Sequence, residues 1–314
     1  MKALLFESYG GPEVLNVCEV PIPEVGEHDV LIEMYATSVN PIDWKVRAGL
    51  FKERMPLDFP VIFGHDAAGI VSEVGAKVTR WKRGDRVVAK NKGFNCFAEY
   101  AAIDESLVVA LPKSITFHEG ACLPTAGGMA WKSLFVAGGL QEGQKVLIHG
   151  GAGGVGSLAI QLAKGAGAYV AATGSAANLE FMKSLGADEV IDYESQDFSQ
   201  QLQGFDLVLD LIGGETQRKS WQVLRPGGLL LAAAPIPEAN KVEGFRAEAV
   251  IGGADPASLE QIVKSLESGK LKPVITAILP FEENILREAS RKSQTGHSRG
   301  KTVVRLREEA TFNA

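Results

Sequence analysis

The sequence predicts an α/β protein that combines a doubly wound parallel sheet with a β-rich module formed by both chain ends. Three observations predict it. Short strands without long helices occupy the first 110 residues, strands alternate with helices from residue 120 onward, and one more helix and strand lie near the C-terminus. Alternating strands and helices indicate a parallel sheet, whereas strands alone indicate a separate sheet-rich module.

The N-terminal part contains three segments that are typical of short strands and are separated by glycines, at residues 30–36, 67–74 and 86–89. Near the C-terminus, the pattern predicts a helix over residues 282–293 and a strand over 302–306. We expect this second segment to pack back onto the first. The β-rich module is therefore expected to comprise residues 1–122 and 270–314.

The middle of the chain, residues 123–269, is expected to be the parallel-sheet domain. Its predicted strands are residues 145–149, 168–173, 190–192, 207–210, 229–233 and 248–252. The helices predicted here or at its border are residues 121–136, 156–165, 179–185, 215–224 and 257–268. This alternation indicates repeated βαβ units with helices on both faces of the sheet.

The composition is typical of a soluble protein with a well-developed core. Hydrophobic residues make up 46% of the chain, charged residues 22%, and the formal net charge is −6. No cluster of Lys and Arg forms a nucleic-acid-binding face, and no apolar run approaches the ~20 residues of a membrane span. Three widely spaced cysteines favour neither a disulfide framework nor a metal cluster. We expect a cytoplasmic protein that binds neither nucleic acid nor membrane.

A glycine-rich turn lies between a predicted strand and a predicted helix. It fits the pattern G-x-G-x-x-G and comprises Gly151, Ala152, Gly153, Gly154, Val155 and Gly156. Such glycines allow a tight turn, close approach of backbone N–H groups to a pyrophosphate, and close packing of helix on strand. A turn without a ligand is the alternative. The surrounding βαβ pattern favours a dinucleotide-binding site and therefore a nicotinamide-dependent oxidoreductase.

The end of the second strand indicates which nicotinamide cofactor is bound. NAD sites usually place Asp or Glu about 20 residues after the glycines, where the carboxylate holds the ribose 2′-hydroxyl. In this chain the strand continues into Gly174 and Ser175 and carries no carboxylate. A carboxylate would repel a 2′-phosphate, so its absence favours NADPH. Ser175 and Asn178 are uncharged donors that could contact this phosphate.

Nine short motifs occur along the chain: SVNPID at 38–43, GHDAAG at 64–69, GDRV at 84–87, FAEY at 97–100, LPTA at 123–126, AGGVG at 152–156, QLA at 161–163, LGAD at 185–188 and GHSRGK at 296–301. In this order and spacing they resemble the zinc-independent quinone oxidoreductase and enone reductase group, the zeta-crystallin-like branch of the medium-chain dehydrogenase/reductase superfamily. The resemblance covers essentially the whole chain. It implies a GroES-like catalytic domain made from both chain ends, a Rossmann domain between them, and NADPH as hydride donor.

The resemblance also implies roles for individual residues. Asn40 matches an active-site polar side chain near the nicotinamide, and Thr125 matches a threonine that contacts the cofactor. Ser175 and Tyr193 match positions around the adenosine 2′-phosphate. Asn178 stands where many relatives have a lysine that pairs with this phosphate, which is a departure from the group's pattern.

The residues favour chemistry without a metal. Catalytic zinc needs three protein ligands, and the cysteine of the first ligand motif of alcohol dehydrogenases is replaced by Asn40. We interpret Asp43, His65 and Asp66 as a hydrogen-bonded cluster rather than a substitute metal site. A zinc-type alcohol dehydrogenase is correspondingly disfavoured.

Hydride transfer without a metal favours acceptors that delocalise negative charge, such as quinones and α,β-unsaturated carbonyls. Candidate donors to the acceptor oxygen are Asn40, Lys45 and Arg47. The two basic side chains could instead be solvated or pair with Asp43. Ile212 lies in a second glycine turn on the expected cofactor side. Arg299 could meet a cofactor phosphate or lie on the surface.

Three functional hypotheses follow. The first is NADPH-dependent hydride transfer to a quinone, and the second is reduction of a 2-alkenal or enone. The third, from another class, is a non-catalytic NADPH-binding regulatory protein, because fold does not dictate function. The predicted strand at residues 248–252 could pair with a second copy, so we expect a homodimer.

Overall fold

The computed structural model describes residues 1–237 and 242–309. The chain divides into two compact units. The first unit comprises Met1–Thr125, Asp255–Glu267 and Ile275–Ala314, and the second comprises Ala126–Ala254 and Ser268–Val274. The segment 255–267, which the sequence analysis placed in the middle domain, groups with the chain ends because its helix packs against the last N-terminal strand of the first unit.

In the described residues, the strands in chain order are β1 (Lys2–Phe6), β2 (Asn16–Glu19), β3 (Asp29–Ser38), β4 (Val61–Ile62), β5 (Asp66–Val74), β6 (Arg86–Lys90), β7 (Tyr100–Asp104), β8 (Val108–Ala110), β9 (Lys145–His149), β10 (Tyr169–Gly174), β11 (Glu189–Asp192), β12 (Phe205–Asp210), β13 (Leu224–Ala232), β14 (Arg246–Ala249), β15 (Ile275–Pro280) and β16 (Lys301–Arg305). The α-helices are α1 (Pro41–Arg47), α2 (Phe117–Ala121), α3 (Gly128–Trp131), α4 (Gly154–Gly165), α5 (Leu179–Ser184), α6 (Phe198–Gln201), α7 (Gly214–Ser220), α8 (Pro256–Glu267) and α9 (Glu283–Gln294).

The second unit contains a six-stranded sheet in the order β11-β10-β9-β12-β13-β14, with every pairing parallel. Numbered from β9, this is the order 3-2-1-4-5-6 of the dinucleotide-binding Rossmann fold. The parallel strands are apolar because both faces are covered, and their core includes Leu147, Val208 and Leu230. The predicted doubly wound sheet is confirmed.

Two elements of this unit differ from the sequence prediction. The last strand was predicted at residues 248–252 but spans Arg246–Ala249. Val250 still donates its N–H to Ala232 O, and Gly252 (φ +90°) then turns the chain away. The single helix predicted over residues 121–136 consists of α2, α3 and two wider π-helical segments, Leu123–Gly127 and Lys132–Ala137.

The first unit is β-rich, as predicted. A seven-stranded sheet has the order β15-β16-β3-β5-β6-β8, with β7 also paired to β3, and a three-stranded sheet has the order β2-β1-β4. β16 runs antiparallel to β3, pairing Val303 with Ser38. The C-terminal segment therefore completes the N-terminal sheet, and it brings Lys301 to the end of β3.

One hydrophobic core of the first unit lies along β3 and β5. It contains buried aliphatic residues from both strands, including Val30, Met34 and Val71. Helix α1 follows β3 directly, with Pro41 as its first residue, where proline's fixed φ and missing N–H are tolerated. No helix of the described residues is long and apolar enough to cross a bilayer.

Candidate functional site

A buried polar cluster in the first unit is centred on Asp66, the first residue of β5, and includes Ser38, Asn40 and Thr125. The Asp66 side chain is fully buried. Oδ2 accepts hydrogen bonds from Ser38 Oγ (2.5 Å) and Asn40 Nδ2 (2.8 Å), and Oδ1 accepts from the N–H and hydroxyl of Thr125 (2.9 and 2.6 Å). A buried carboxylate is tolerated when its lone pairs are satisfied in this way. Three segments of the sequence thus meet on one carboxyl group.

Strand pairing brings these residues together. β3 and β5 are antiparallel neighbours, with Ala36 opposite Ala68, so the end of β3 lies beside the start of β5. Thr37 Oγ1 also donates to the main-chain oxygen of Asp66 at 2.7 Å. The motif residues 38–43 and 64–69 are therefore neighbours in space, although 26 positions separate Asn40 from Asp66.

The amide of Asn40 is held in one orientation. Both hydrogens of Nδ2 are donated, to Asp66 Oδ2 (2.8 Å) and Ser38 O (3.1 Å), while Oδ1 accepts from Lys301 Nζ at 2.6 Å. Lys301 Nζ also donates to Val39 O at 3.1 Å. Because both amide hydrogens are used, donation from Asn40 to an acceptor oxygen would require one of these bonds to open. The geometry favours a positioning role for this side chain.

Lys301 was not assigned a role from the sequence. It belongs to the motif GHSRGK, and its ammonium group is buried. Burial of a Lys side chain at the start of a strand is unusual without a partner. The partner, Asn40, lies 261 residues away in sequence, so periodicity could not identify it.

Asp43 joins His65 to this cluster. Asp43 is the third residue of α1 and is buried; its Oδ2 accepts the backbone N–H of Asn40 at 2.8 Å, and its Oδ1 lies 3.0 Å from His65 Nδ1. Of the residues predicted to form a hydrogen-bonded cluster, Asp43 and His65 pair directly, and Asp43 is linked to Asp66 through Asn40. Within the described residues, no group of three or more His, Cys, Asp or Glu side chains could hold a metal ion.

The two basic candidates of the sequence analysis lie on α1 in different surroundings. Lys45 Nζ is 5.8 Å from the ring centroid of its neighbour Trp44. Arg47 is fully buried and donates from Nη1 to Gly10 O at 3.2 Å. Burial lowers the pKa of the Arg47 guanidinium. Contact of Arg47 with an acceptor would require it to leave this buried position.

In the second unit, the glycine turn leads from β9 into α4. Gly150 has φ +69°, in the left-handed region, and Gly153 is the residue before the helix, with no side chain capping it. A Cβ on Gly151 would lie 2.8 Å from Met182 Sδ, and one on Gly156 would overlap Gly150 O. Steric exclusion of a side chain therefore explains why glycine occupies these positions. The first N–H groups of the twelve-residue helix have no side-chain cap and could bind a pyrophosphate.

His149 anchors the strand that precedes the turn. Its ring is fully buried, with Nδ1 3.0 Å from Thr173 Oγ1 on β10 and Nε2 3.1 Å from Ser220 Oγ on α7. Burial lowers the pKa of the imidazole to about 3. The neutral ring therefore ties three elements together beneath the turn. No pattern in the sequence indicates this role of His149.

The expected 2′-phosphate contacts lie at the end of β10. Asn178 Nδ2 donates to Ser175 Oγ at 3.0 Å, and Tyr193 N donates to Gly174 O at 3.1 Å, so the three predicted residues follow neighbouring strand ends. The Tyr193 side chain is about half exposed, and its pKa is raised by partial burial and by Glu194 and Asp192.

A carboxylate does stand near this strand end, on the adjacent strand. Asp192 is paired with Gly174. Its Oδ1 accepts from Glu194 N at 3.2 Å and its Oδ2 accepts from Ser195 Oγ at 2.6 Å. The Asp192 carboxylate thus stabilises the turn that follows β11.

Ile212 lies in the turn after β12, beside the glycine turn. Its N–H and that of Gly213 both donate to Asp210 Oδ1 at 2.9 Å, and Asp210 Oδ2 accepts from Gln217. Ile212 Cδ1 lies 3.1 Å from where a Cβ on Gly150 would stand. The buried Asp210 holds this turn, and Ile212 is the exposed apolar residue that it positions.

Arg299 and the cysteines complete the set of candidates. The Arg299 side chain is exposed, and its main-chain oxygen accepts from Thr276 Oγ1 at 2.9 Å. Cys96 and Cys122 are buried, and burial raises the pKa of both thiols, for Cys122 to about 12. Thiols of this kind are inert at neutral pH.

Comparison with known proteins places the chain in a family. Residues 26–113 match the alcohol dehydrogenase GroES-like domain family, and residues 185–304 match the zinc-binding dehydrogenase family. The chain is 40% identical to the 2-methylene-furan-3-one reductase of Solanum lycopersicum (97% of this chain, 79% of the relative). It is 38% identical to the chloroplastic NADPH-dependent alkenal/one oxidoreductase of Arabidopsis thaliana, over the same shares.

The structure gives the same result. The quinone oxidoreductase from Coxiella burnetii superposes with a TM-score of 0.91 at 34% identity, covering 98% of this chain and 99% of that one. The chain therefore belongs to the quinone oxidoreductase and alkenal/one oxidoreductase family of the medium-chain dehydrogenase/reductase superfamily.

Proposed function

We propose that this protein is an NADPH-dependent oxidoreductase whose hydride acceptor is a quinone. The strand, turn and helix at residues 145–165 carry the proposal, because glycines stand where a side chain would overlap the turn, and the first N–H groups of α4 are left without a cap. When bound, NADPH supplies the hydride. Gly153 and Gly154 would hold its pyrophosphate, and Ile212 would lie against its nicotinamide side.

The choice of NADPH over NADH rests on the charges at the end of β10. Ser175 and Asn178 are neutral donors there, and the nearest carboxylate on the neighbouring strand, Asp192, is occupied by its own turn. A 2′-phosphate could accept hydrogen bonds from these neutral donors. A 2′-hydroxyl would lack the carboxylate that usually accepts its hydrogen bond in NAD sites. The Arabidopsis relative, named NADPH-dependent, supports the same choice. Tyr193 and Arg299 remain proposed phosphate contacts.

The first unit would supply orientation for the acceptor. Asp66 fixes Asn40 and Thr125, and Lys301 places a positive charge directly behind the Asn40 amide. A buried positive charge stabilises negative charge that develops nearby on an acceptor oxygen, since screening by water is weak there. Quinones and conjugated carbonyls need less such stabilisation than simple ketones, because their negative charge delocalises.

A conjugated enone or alkenal is the second candidate acceptor. The tomato and Arabidopsis relatives favour it, because their names give a methylene-furanone reductase and an alkenal/one oxidoreductase. Both reactions use the same hydride donor and the same delocalised acceptor. The acceptor class therefore has to be decided by measurement rather than by the cofactor site.

The deciding experiment measures NADPH oxidation by the purified protein with a quinone panel and a 2-alkenal and enone panel, each also with NADH. We expect turnover with at least one panel and a higher kcat/KM with NADPH. Faster turnover of enones would assign the second candidate. Tight NADPH binding without reduction of any acceptor would overturn both and favour a regulatory NADPH-binding protein.

We further propose a cytoplasmic homodimer. Among the residues that the structure describes, β14 pairs with β13 alone and is the edge strand of the second unit's sheet, and the exposed Ile251 follows it, so a backbone edge and an apolar side chain are available to a second copy. Light scattering of the purified protein tests this; a monomeric mass at micromolar concentration would contradict it.

A further inference from the structure

Asp43 and His65 form a carboxylate–imidazole pair at the border of the network around Asp66, and the proposed function assigns this pair no role. Asp43 Oδ1 and His65 Nδ1 are 3.0 Å apart, and both side chains are nearly buried. An ionised carboxylate has no hydrogen to donate, so the proton of this bond belongs to Nδ1. The second ring nitrogen, Nε2, is the one left for other chemistry.

Nε2 of His65 is open. In the described residues, Asp43 is the hydrogen-bond partner of this imidazole, through Nδ1. Nε2 has no partner there, and it is not fully buried. About 9% of the side-chain surface remains exposed. The ring of Phe94 lies edge-on at 4.7 Å between centroids and restricts rotation of the imidazole. A carboxylate on one nitrogen and access at the other is the arrangement of a proton donor.

The pair is joined to the proposed active site by one residue. Asp43 Oδ2 accepts the backbone N–H of Asn40, whose side chain is bound by Asp66 and Lys301. The carboxylate that orients His65 therefore also holds the first turn of α1 against the Asn40 peptide. A displacement of Asn40 would displace the imidazole as well.

We propose that His65, oriented by Asp43, donates the proton that accompanies hydride transfer to the acceptor. This inference rests on the proposed NADPH-dependent reduction. With an enone, hydride supplied by bound NADPH would add to the β-carbon, and the C=C electron pair would move to give an enolate. The enolate C=C pair would then take the proton from Nε2 of the protonated imidazole, so that this N–H bond breaks, a C–H bond forms at the α-carbon and the carbonyl re-forms. Neutral imidazole would remain, with Nδ1–H still hydrogen-bonded to Asp43.

The effect should differ between the two acceptor classes. Protonation of carbon needs a positioned acid, whereas the anion of a reduced quinone carries its charge on oxygen, which water protonates readily. A positioned acid contributes roughly 10²–10⁴-fold to rate. Loss of His65 should therefore reduce kcat for enones about 100-fold and kcat for quinones less than about 10-fold.

His65→Asn is the variant to test, because its amide can still donate to Asp43 but has no proton to transfer. With an α-substituted enone, the α-carbon of the product becomes a stereocentre. We expect the wild-type protein and the exposed-site control His28→Asn to give one enantiomer in excess. His65→Asn should lose both rate and enantiomeric excess, since solvent then protonates either face. An unchanged rate and enantiomeric excess in His65→Asn would overturn the proposal.

A second measurement does not depend on turnover. Nitrogen-15 NMR of labelled histidine in the cofactor-free protein should show neutral His65 protonated on Nδ1, and Asp43→Asn, whose amide can face Nδ1 with N–H, should shift the proton to Nε2. A wild-type His65 protonated on Nε2 would contradict the proposal even if His65→Asn failed to fold. Absence of any acceptor reduction by the wild type would instead overturn the proposed function, so the two failures are distinguishable.

Discussion

One carboxylate oxygen of Asp66 accepts two hydrogen bonds from Thr125, from the backbone N–H at 2.9 Å and from the hydroxyl at 2.6 Å. The same carboxyl group binds Ser38 and Asn40 through its other oxygen. Thr125 is the last residue of the N-terminal segment of its unit and lies within the π-helical segment Leu123–Gly127. The carboxylate therefore fixes the point at which the chain leaves this unit.

Replacing this carboxylate should destabilise the protein. In Asp66→Asn, the amide nitrogen faces donors whose hydrogen bonds the carboxylate oxygen accepted. Each buried donor left without an acceptor lowers the free energy of unfolding by about 1–3 kcal/mol. We expect the free energy of unfolding to fall by about 3 kcal/mol in urea titrations. The exposed-site control Asp58→Asn should change it by less than about 0.5 kcal/mol. Equal stability of the two variants would show that the network around Asp66 is not as described.

Two glycines of α4 allow a matched test of the glycine turn. In Gly156→Ala the new Cβ overlaps the main-chain oxygen of Gly150, so the turn must shift, and we expect KM for NADPH to rise by at least about 10-fold. A Cβ on Gly165 meets nothing within 4 Å, so Gly165→Ala should keep KM and stabilise the protein by about 0.5–1 kcal/mol. Cofactor titration and urea unfolding measure both effects. A normal KM in Gly156→Ala would place the pyrophosphate elsewhere.

Asn178 offers a test of cofactor preference. A lysine at this position adds a positive charge beside Ser175, and a charge-assisted hydrogen bond to phosphate contributes about 1.5–3 kcal/mol. In Asn178→Lys, the ratio of kcat/KM for NADPH to that for NADH should rise by about 10-fold or more. Asn178→Gln, which adds no charge, is the control. If Asn178→Lys left the ratio unchanged, the 2′-phosphate would not bind at the end of β10.

Buried His149 should make stability depend on pH. Its pKa is lowered by burial from 6.5 to about 3, so the unfolded chain binds a proton more readily than the folded protein. Above pH 6.5 the imidazole is neutral in both the folded and the unfolded state, and His149 does not lower the free energy of unfolding. As the pH falls from 6.5 toward 3, the unfolded chain takes up the proton first, and the free energy of unfolding decreases. Between pH 6.5 and about pH 5, we expect His149 to cost the fold about 2 kcal/mol of unfolding free energy. In His149→Gln this loss should be absent, and equal pH dependence of the two proteins in urea titrations would contradict the assignment.

The parts of the fold that follow from local pattern were predictable from the sequence. The alternation of strands and helices indicated the parallel sheet, and the glycine run at residues 151–156 indicated the tight turn that leads from β9 into α4. Segments where competing backbone geometries occur were predicted less well. The helix near residue 121 contains wider turns, and β14 already ends at Ala249, ahead of the left-handed Gly252.

The polar cluster was predictable only in part, because long-range pairing assembles it. The sequence indicated that Asp43, His65 and Asp66 form hydrogen bonds, but not which atoms meet. Lys301 reaches Asn40 because β16 pairs with β3, and no local pattern encodes that register. Lys45 and Arg47 likewise differ in burial, although they lie two residues apart on the same helix: Arg47 is fully buried and Lys45 is not.

The central claim is that this chain transfers a hydride from NADPH to a quinone or a conjugated carbonyl. The most direct measurement supplies NADPH with deuterium at the transferring C4 position and follows the label by mass spectrometry and NMR. With an enone, we predict one deuterium at the β-carbon of the product for each NADPH oxidised; with a quinone, deuterium-labelled C4 should disappear from the cofactor as hydroquinone forms. Retention of the deuterium on the cofactor with every acceptor would contradict the account.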